Sequence, residues 1–366
     1  MTVTELCAAL TRIPTVEPLP TGAAIDLIAE MLAPAGFTII HRIDTLAGVE
    51  HALLERLGDD PPLLIDGHLD TVPPGDPARW QYAPFSGEMA EGKVWGRGSA
   101  DDKGPLAAAV MALCETKSSR RLLLSLTGDE ELHMRGMRLL LEHPAVRAAT
   151  QAIALEPTDF SPIHAHKGNA RLRVDITGQA AHSSRPWEGR NAIEEKMRLA
   201  AATAEWFAAG EGQRRVPLFG DEPSTLVLTR EVTPNDAFNI IPERSSYWYN
   251  YRPLPGNPQA YPEITRALTD LAQRLDIQAN VVMEYELAAF QTPVDSSLIR
   301  TLEAVSGRKA GWVAYGTHAG ILAVDGRQVA VFGPGSIAVA HQENEYIDSA
   351  MLEEGVRQIR KLLQLV

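Results

Sequence analysis

The sequence predicts an α/β protein of two domains, the second inserted into the first. Three observations predict it. Strand-like and helix-like segments alternate through residues 1–166. Residues 167–288 follow the order βαββαβ, that of a compact ferredoxin-like insert, and residues 289–366 return to the α/β texture. The length, 366 residues, agrees, since one domain takes about 100–200 residues.

Apolar residues in 23–32 recur at helical spacing, and Pro34 with Gly36 ends that helix. Segments 37–43 and 51–57 read as strands, and 62–66, closed by Gly67, as a buried strand. Segment 105–114 is an Ala-rich helix, 121–126 a buried strand, 137–141 a helix and 152–155 a strand. In the insert, 170–177 alternates as a strand, 191–208 is a long helix, and 225–231 and 246–252 are strands. A helix at 261–275 and a strand at 278–287 complete it. A helix from Ser297, a strand at 329–332 and a helix from Met351 close the chain.

Composition narrows the function. Hydrophobic residues make up 45% and charged residues 22%, which excludes a largely disordered chain, a collagen-like fibre and a disulfide-stapled miniprotein. The net charge of −13 argues against nucleic acid and against an anionic membrane, and suits a protein that holds cations. Cys7 and Cys114 sit in apolar helical stretches and read as reduced core thiols, and neither belongs to a Cys-x-x-Cys pair. The start, Met-Thr-Val-Thr-Glu, has no basic region followed by an apolar run, so the expectation is a cytoplasmic protein without a signal peptide or membrane span.

Acids and histidines gather where buried strands end. In Gly67-His68-Leu69-Asp70, residues i and i+2 share a face, so Asp70 can orient the His68 ring; alone, the pair is a weak signal and reads first as structural. Gly96-Arg97-Gly98-Ser99-Ala100-Asp101-Asp102-Lys103-Gly104 puts two acids near a helix N-terminus, where capping explains one of them. It is no nucleotide fingerprint, because Asp101 stands where a third glycine would be needed; the nearby Gly87–Lys93 phosphate-loop near-match fails at Val94. Asp129-Glu130-Glu131 repel one another unless solvated or neutralised by a cation. Glu156 ends an apolar strand, and His341 follows a Gly333-Pro334-Gly335 turn. Singly, each has an ordinary structural reading. Together, they are predicted to converge at one sheet edge. Imidazole and carboxylate donors suit zinc, cobalt or manganese. With one carboxylate bridging, His68, Asp101, Glu131, Glu156 and His341 suffice for two metals, leaving Glu130 free to carry a proton.

These residues, in this order, resemble the co-catalytic zinc deacylases and exopeptidases, with acetylornithine deacetylase and succinyl-diaminopimelate desuccinylase nearest. The resemblance runs nearly the whole chain through Gly67-His68-Leu69-Asp70-Thr71-Val72-Pro73, the Gly96–Gly104 stretch, Asp129-Glu130-Glu131, Glu156-Pro157 and Ala340-His341. It implies a zinc-exopeptidase-like catalytic domain and a lid or dimerisation insert. It implies His68 and Glu156 on one zinc, Glu131 and His341 on the other, and Asp101 bridging, with the peptide after Asp101 cis. It also implies that Asp70 orients His68 and that Glu130 is the general base. Ala181-His182-Ser183-Ser184 resembles a motif of the smaller domain, which implies that His182 stabilises the oxyanion in the partner's site of a homodimer. Asn239 and Arg252 match substrate-binding positions, Arg252 as the partner of a carboxylate, with a surface ion pair as its plainer reading.

Two departures stand out. Relatives often show Asp-x-Arg where this chain has Asn250-Tyr251-Arg252. Acetylornithine deacetylases usually carry an acid where His318 stands, in Tyr315-Gly316-Thr317-His318, so a cationic substrate group is not required at that binding position. His133, His164 and His166 match no ligand position and read as surface or supporting residues. The expected activity is zinc-dependent hydrolysis of a small N-acyl amino acid. The alternatives are a dipeptidase or aminopeptidase on the same scaffold, a two-metal phosphoesterase and a non-catalytic binding protein.

Overall fold

The computed structural model describes residues 1–16, 18–46 and 48–365. The chain divides into two compact units. One comprises Met1–Ala165, Gln291–Gly311 and Thr317–Val366; the other comprises His166–Phe290 and Trp312–Gly316.

The first unit is built on a mixed sheet whose strands run in the order Thr38–Leu46, Val49–Arg56, Arg120–Thr127, Asp59–His68, Gln151–Ala154, Gln328–Val331 and Ile163–His166. The four from Arg120–Thr127 to Gln328–Val331 are parallel. Their sequences explain the placement. Leu63, Leu64 and Ile65, Leu122, Leu123 and Leu124, and Val329, Ala330 and Val331 are continuous apolar runs, all buried, as parallel strands covered on both faces require. The helix Lys103–Glu115 packs between Val3–Thr11 and Ser349–Leu365, and Ala107, Ala108, Ala109 and Ala112 keep its surface small enough for close approach. Truncating its fully buried Leu113 to Ala should cost about 2–5 kcal/mol.

Register positions the site. Gly67 pairs with Leu126 and His68 with Thr127, while Asp66 pairs with Ser125 on one side and Ala154 on the other. The segments leaving three adjacent parallel strands therefore emerge at one edge: Leu69–Asp70, Gly128–Glu131 and Leu155–Glu156.

The helix Val3–Thr11, the apolar helical stretch read around Cys7, starts at a capping box between Thr2 and Glu5. Several other elements escape the sequence reading. The helix Pro144–Ala148 and the strand Ile163–His166 are short. A second small sheet joins Tyr346–Asp348, Lys93–Trp95 and Glu88–Ala90, each too brief to show a period.

The second unit is a four-stranded antiparallel sheet in the order Thr225–Val232, Arg244–Arg252, Asn169–Thr177, Ala279–Leu287, with helices Ala192–Ala209 and Ala260–Arg274. With the chain order βαββαβ, this is the ferredoxin-like arrangement. Alternation made it legible: Ala170, Leu172, Val174 and Ile176 are buried on one strand, and Tyr247, Tyr249 and Tyr251 on its neighbour.

Among the described residues no helix is long and apolar enough to cross a membrane. Both cysteines are free thiols, Cys7 buried and Cys114 partly so. Burial pushes the Cys7 thiol up to about 12.

Candidate metal centre

His68 ends its strand with Nε2 3.0 Å from Asp101 Oδ1. Asp101 is delivered by the glycine-framed turn, where Gly98 has φ +85° and an added Cβ would stand 2.5 Å from Thr71 Cγ2. The Asp101–Asp102 peptide is cis. Asp102 makes no side-chain cap to the helix Lys103–Glu115; its Oδ2 instead accepts the His68 N–H at 3.2 Å. Across the centre, His341 Nε2 lies 3.2 Å from Asp101 Oδ2 and 2.9 Å from Glu131 Oε1. Two groups have their potential ligand atoms within 4.8 Å of one another: His68, Asp101 and Glu156, and Asp101, Glu131 and His341. Asp101 is common to both and turns one oxygen toward each histidine.

The electrostatics call for cations. Burial raises Glu156 well above the usual carboxylate range, and the charges of Asp101 and Glu130 add to it. Burial also raises Glu131, and pushes Glu130 up to about 8. Hydrogen bonds that His341 donates to Asp101 and Glu131 hold its ring up to about 10. Burial works against the charged His68 ring, but Asp101 and Asp70 outweigh it and raise the ring well above its ordinary value. In the metal-free chain these groups share too few protons among too many acids. Divalent ions resolve that, and a donor set of imidazole nitrogen and carboxylate oxygen without thiolate fits zinc, cobalt or manganese. Glu130 belongs to neither group; it is buried, and its Oε1 has no hydrogen-bond partner.

Asp70 organises this edge. Its carboxylate accepts the N–H groups of Glu130 and Glu131 at 3.1 and 3.0 Å. The same carboxylate stands 3.5 Å from His68 Nδ1, whose nearer contact is the Asp70 carbonyl oxygen at 3.1 Å. Asp129 points away and accepts from Arg135 and Gly136, so the three consecutive acids diverge. Asp66, two residues before His68, was not singled out from sequence. It accepts from Ser125 Oγ at 2.6 Å and lies 2.8 Å from His318 Nδ1. His318 is buried, its Nε2 has no hydrogen-bond partner, and the Asp66 carboxylate overcomes burial to raise it. A pairing across 252 residues of chain leaves no local signal.

Of the surface and supporting readings, the surface one fails for His164 and His166: both are buried, with Nδ1 2.8 Å from the carbonyl oxygens of Thr292 and Lys167 respectively. The polar look of their segment hid a short interior strand.

The remaining candidates lie in the second unit. The segments carrying His182 and Asn239 pair there: His182 bridges Ile240, and the Ser183 N–H donates to the Asn239 carbonyl at 2.9 Å. The exposed His182 ring has Nδ1 3.1 Å from the Ser184 backbone nitrogen and 2.7 Å from Ser184 Oγ; in the tautomer with Nδ1 accepting, Nε2 carries the proton and can donate outward. Arg252 Nε donates to Asn250 Oδ1 at 3.0 Å, a hydrogen bond to a neutral amide.

Residues 64–365 match the model of peptidase family M20/M25/M40. The chain belongs to that family. It is 33% identical to an acetylornithine deacetylase of Proteus mirabilis over 342 residues, covering 90% of this chain and 86% of that protein. Solved M20 structures share its fold. A metallo-carboxypeptidase of Sulfolobus solfataricus aligns with a TM-score of 0.79 at 16% identity, over 99% of this chain and 98% of the other. A dinuclear metal-binding peptidase of Bacillus subtilis aligns with a TM-score of 0.70 at 13% identity, over 99% and 96%.

Proposed function

We propose that this M20 chain hydrolyses the amide bond of a small N-acyl amino acid, releasing a carboxylate and a free amino acid. The observation that carries the reading is the pair of ligand groups sharing Asp101 beside a buried, unengaged Glu130. In this reading His68 and Glu156 hold one zinc, Glu131 and His341 hold the other, and Asp101 bridges, with cobalt or manganese as substitutes. The ions would supply Lewis acidity for the amide carbonyl and make water easier to deprotonate. Glu130 takes the proton from the attacking water and returns it to the departing nitrogen. Asp70 holds the Glu130 backbone and the His68 ring in place for this. His182 donates from Nε2 to the developing oxyanion, within a homodimer formed through the second unit. Asn239, Arg252 and His318 bind the substrate. His318, paired with Asp66, sets no demand for a cationic side chain. The protein would work in the cytoplasm.

The test is amine release from N-acetyl, N-succinyl and N-formyl amino acids and from dipeptides by the zinc-reconstituted protein, beside a chelated control. Chelator-sensitive cleavage of one acyl class is the expected result. Cleavage of dipeptides alone would replace this reading with an exopeptidase. Silence across the panel with two ions bound would refute hydrolysis of these amides.

A further inference from the structure

Glu345 lies four residues beyond His341 and is completely buried. Its Oε1 accepts two successive backbone N–H groups, from Ala100 at 2.9 Å and from Asp101 at 3.2 Å. Its Oε2 takes Arg97 Nη1 at 2.5 Å, and its carbonyl oxygen accepts the Gly96 N–H at 2.9 Å. Arg97 is buried as well; its Nη2 donates to the Pro73 carbonyl at 3.4 Å and its guanidinium lies 5.3 Å from the Trp80 ring centre. Three segments thus meet on one buried ion pair: the loop after the His68 strand, the turn that delivers Asp101 and the loop that carries His341.

That last loop needs an anchor. His341 lies outside any helix or strand, its side chain is 46% exposed, and both His341 and Asn344 have positive φ. His68 ends a strand of the parallel sheet and Glu156 comes two residues after one; His341 lies five residues before the short strand Tyr346–Asp348, in a loop held on its outer side by Arg79 and Gln81 through Glu343 and Asn344. A carboxylate bonded to the backbone of Asp101 ties one ligand's loop to the main chain of the other ligand.

We propose that Glu345, locked by Arg97, is a positioning residue of the metal centre: it clamps the His341 loop to the Asp101 backbone and so sets the geometry of the Asp101–Glu131–His341 group. The inference rests on the reading of the two groups as metal sites. A buried ion pair with a purely structural role would act on both groups alike.

The experiment is stepwise zinc titration of the metal-free full chain against a competing chelator, with cobalt absorption spectra as a second readout. The unmodified chain must take up two ions; failure there overturns the metal reading itself. For Glu345→Gln, the ion that His341→Ala abolishes should lose about 10–100-fold in affinity while the other changes by less than about threefold. The cobalt spectrum of the singly loaded state should match that of the unmodified chain. If Glu345→Gln does not fold, Arg97→Lys, which keeps the charge but loses the planar fork, should give the same selective loss in smaller measure. Two unchanged affinities, or equal weakening of both ions in a folded variant, would overturn the proposal.

Discussion

The two ligand groups differ in what holds them. His68 and Glu156 leave adjacent parallel strands, and their group with Asp101 is buried throughout. Glu131 and His341 come from loops, and His341 is substantially exposed. In the first group the hydrogen-bonded sheet fixes position before any metal arrives. In the second, single side chains do the fixing: Asp70 for Glu131, and Glu345 in the proposal above for His341. A sheet edge supplies rigid ligands cheaply in sequence terms, whereas loop ligands need dedicated buried partners.

The largest expected effect falls on neither group. Glu130→Gln should lower kcat by about 10²–10⁴-fold while both ions still bind, because it removes the proton carrier and no ligand. Retained turnover at full metal loading would remove Glu130 from the chemistry. Next comes the direct contrast between groups. His341→Ala should leave a chain that holds a single ion, in the His68 group, with melting close to that of the unmodified metal-free protein. Loss of both ions would show that the groups are not separable. Asp70→Asn sharpens the contrast further. One amide hydrogen of the new side chain must face a backbone N–H that the carboxylate accepted, and His68 loses one of its two charged neighbours. Both ions should therefore weaken, by about 10–100-fold each, unlike the one-sided loss expected for Glu345→Gln.

The same contrast explains what could be read from sequence. His68, Glu131 and Glu156 were legible because each follows an apolar strand, and parallel strands bring such ends to one edge. The ferredoxin-like unit was legible from the alternation in segments such as 170–177, where burial follows every second residue. Asp66 and Arg97 were not legible as supports, since their partners lie 252 and 248 residues away. Glu345 stood in a segment already noted for His341, yet nothing local shows that its carboxylate turns toward Ala100 and Asp101. The burial of the histidines of Ile163–His166 was not legible, because four residues carry too little pattern to reveal an interior strand.

The smallest effect is on stability, and its sign separates metal-free from loaded protein. In the metal-free fold, burial pushes Glu130 up to about 8 from an ordinary 4.5, and Glu131 and Glu156 are also raised. Hydrogen bonds to Asp101 and Glu131 hold His341 up to about 10 against 6.5, and His68 is raised too. Each of these groups binds its proton more tightly folded than unfolded, so the folded state carries more protons and stability falls as pH rises. The carboxyl contribution is lost between about 4.5 and about 8; the His341 contribution is complete below about 6.5 and is lost as pH climbs through about 10. Chelated protein should therefore melt lower at pH 8 than at pH 6, by about 2–4 °C for each kcal/mol lost. Zinc reverses the order, because binding requires these groups deprotonated and its affinity grows with pH. Melting curves of chelated and zinc-loaded protein from pH 6 to 9 should thus diverge. Parallel curves would mean that the buried acids and histidines are not where the ions bind. If the divergence survives in His341→Ala but shrinks, the sheet-edge group supplies the remainder.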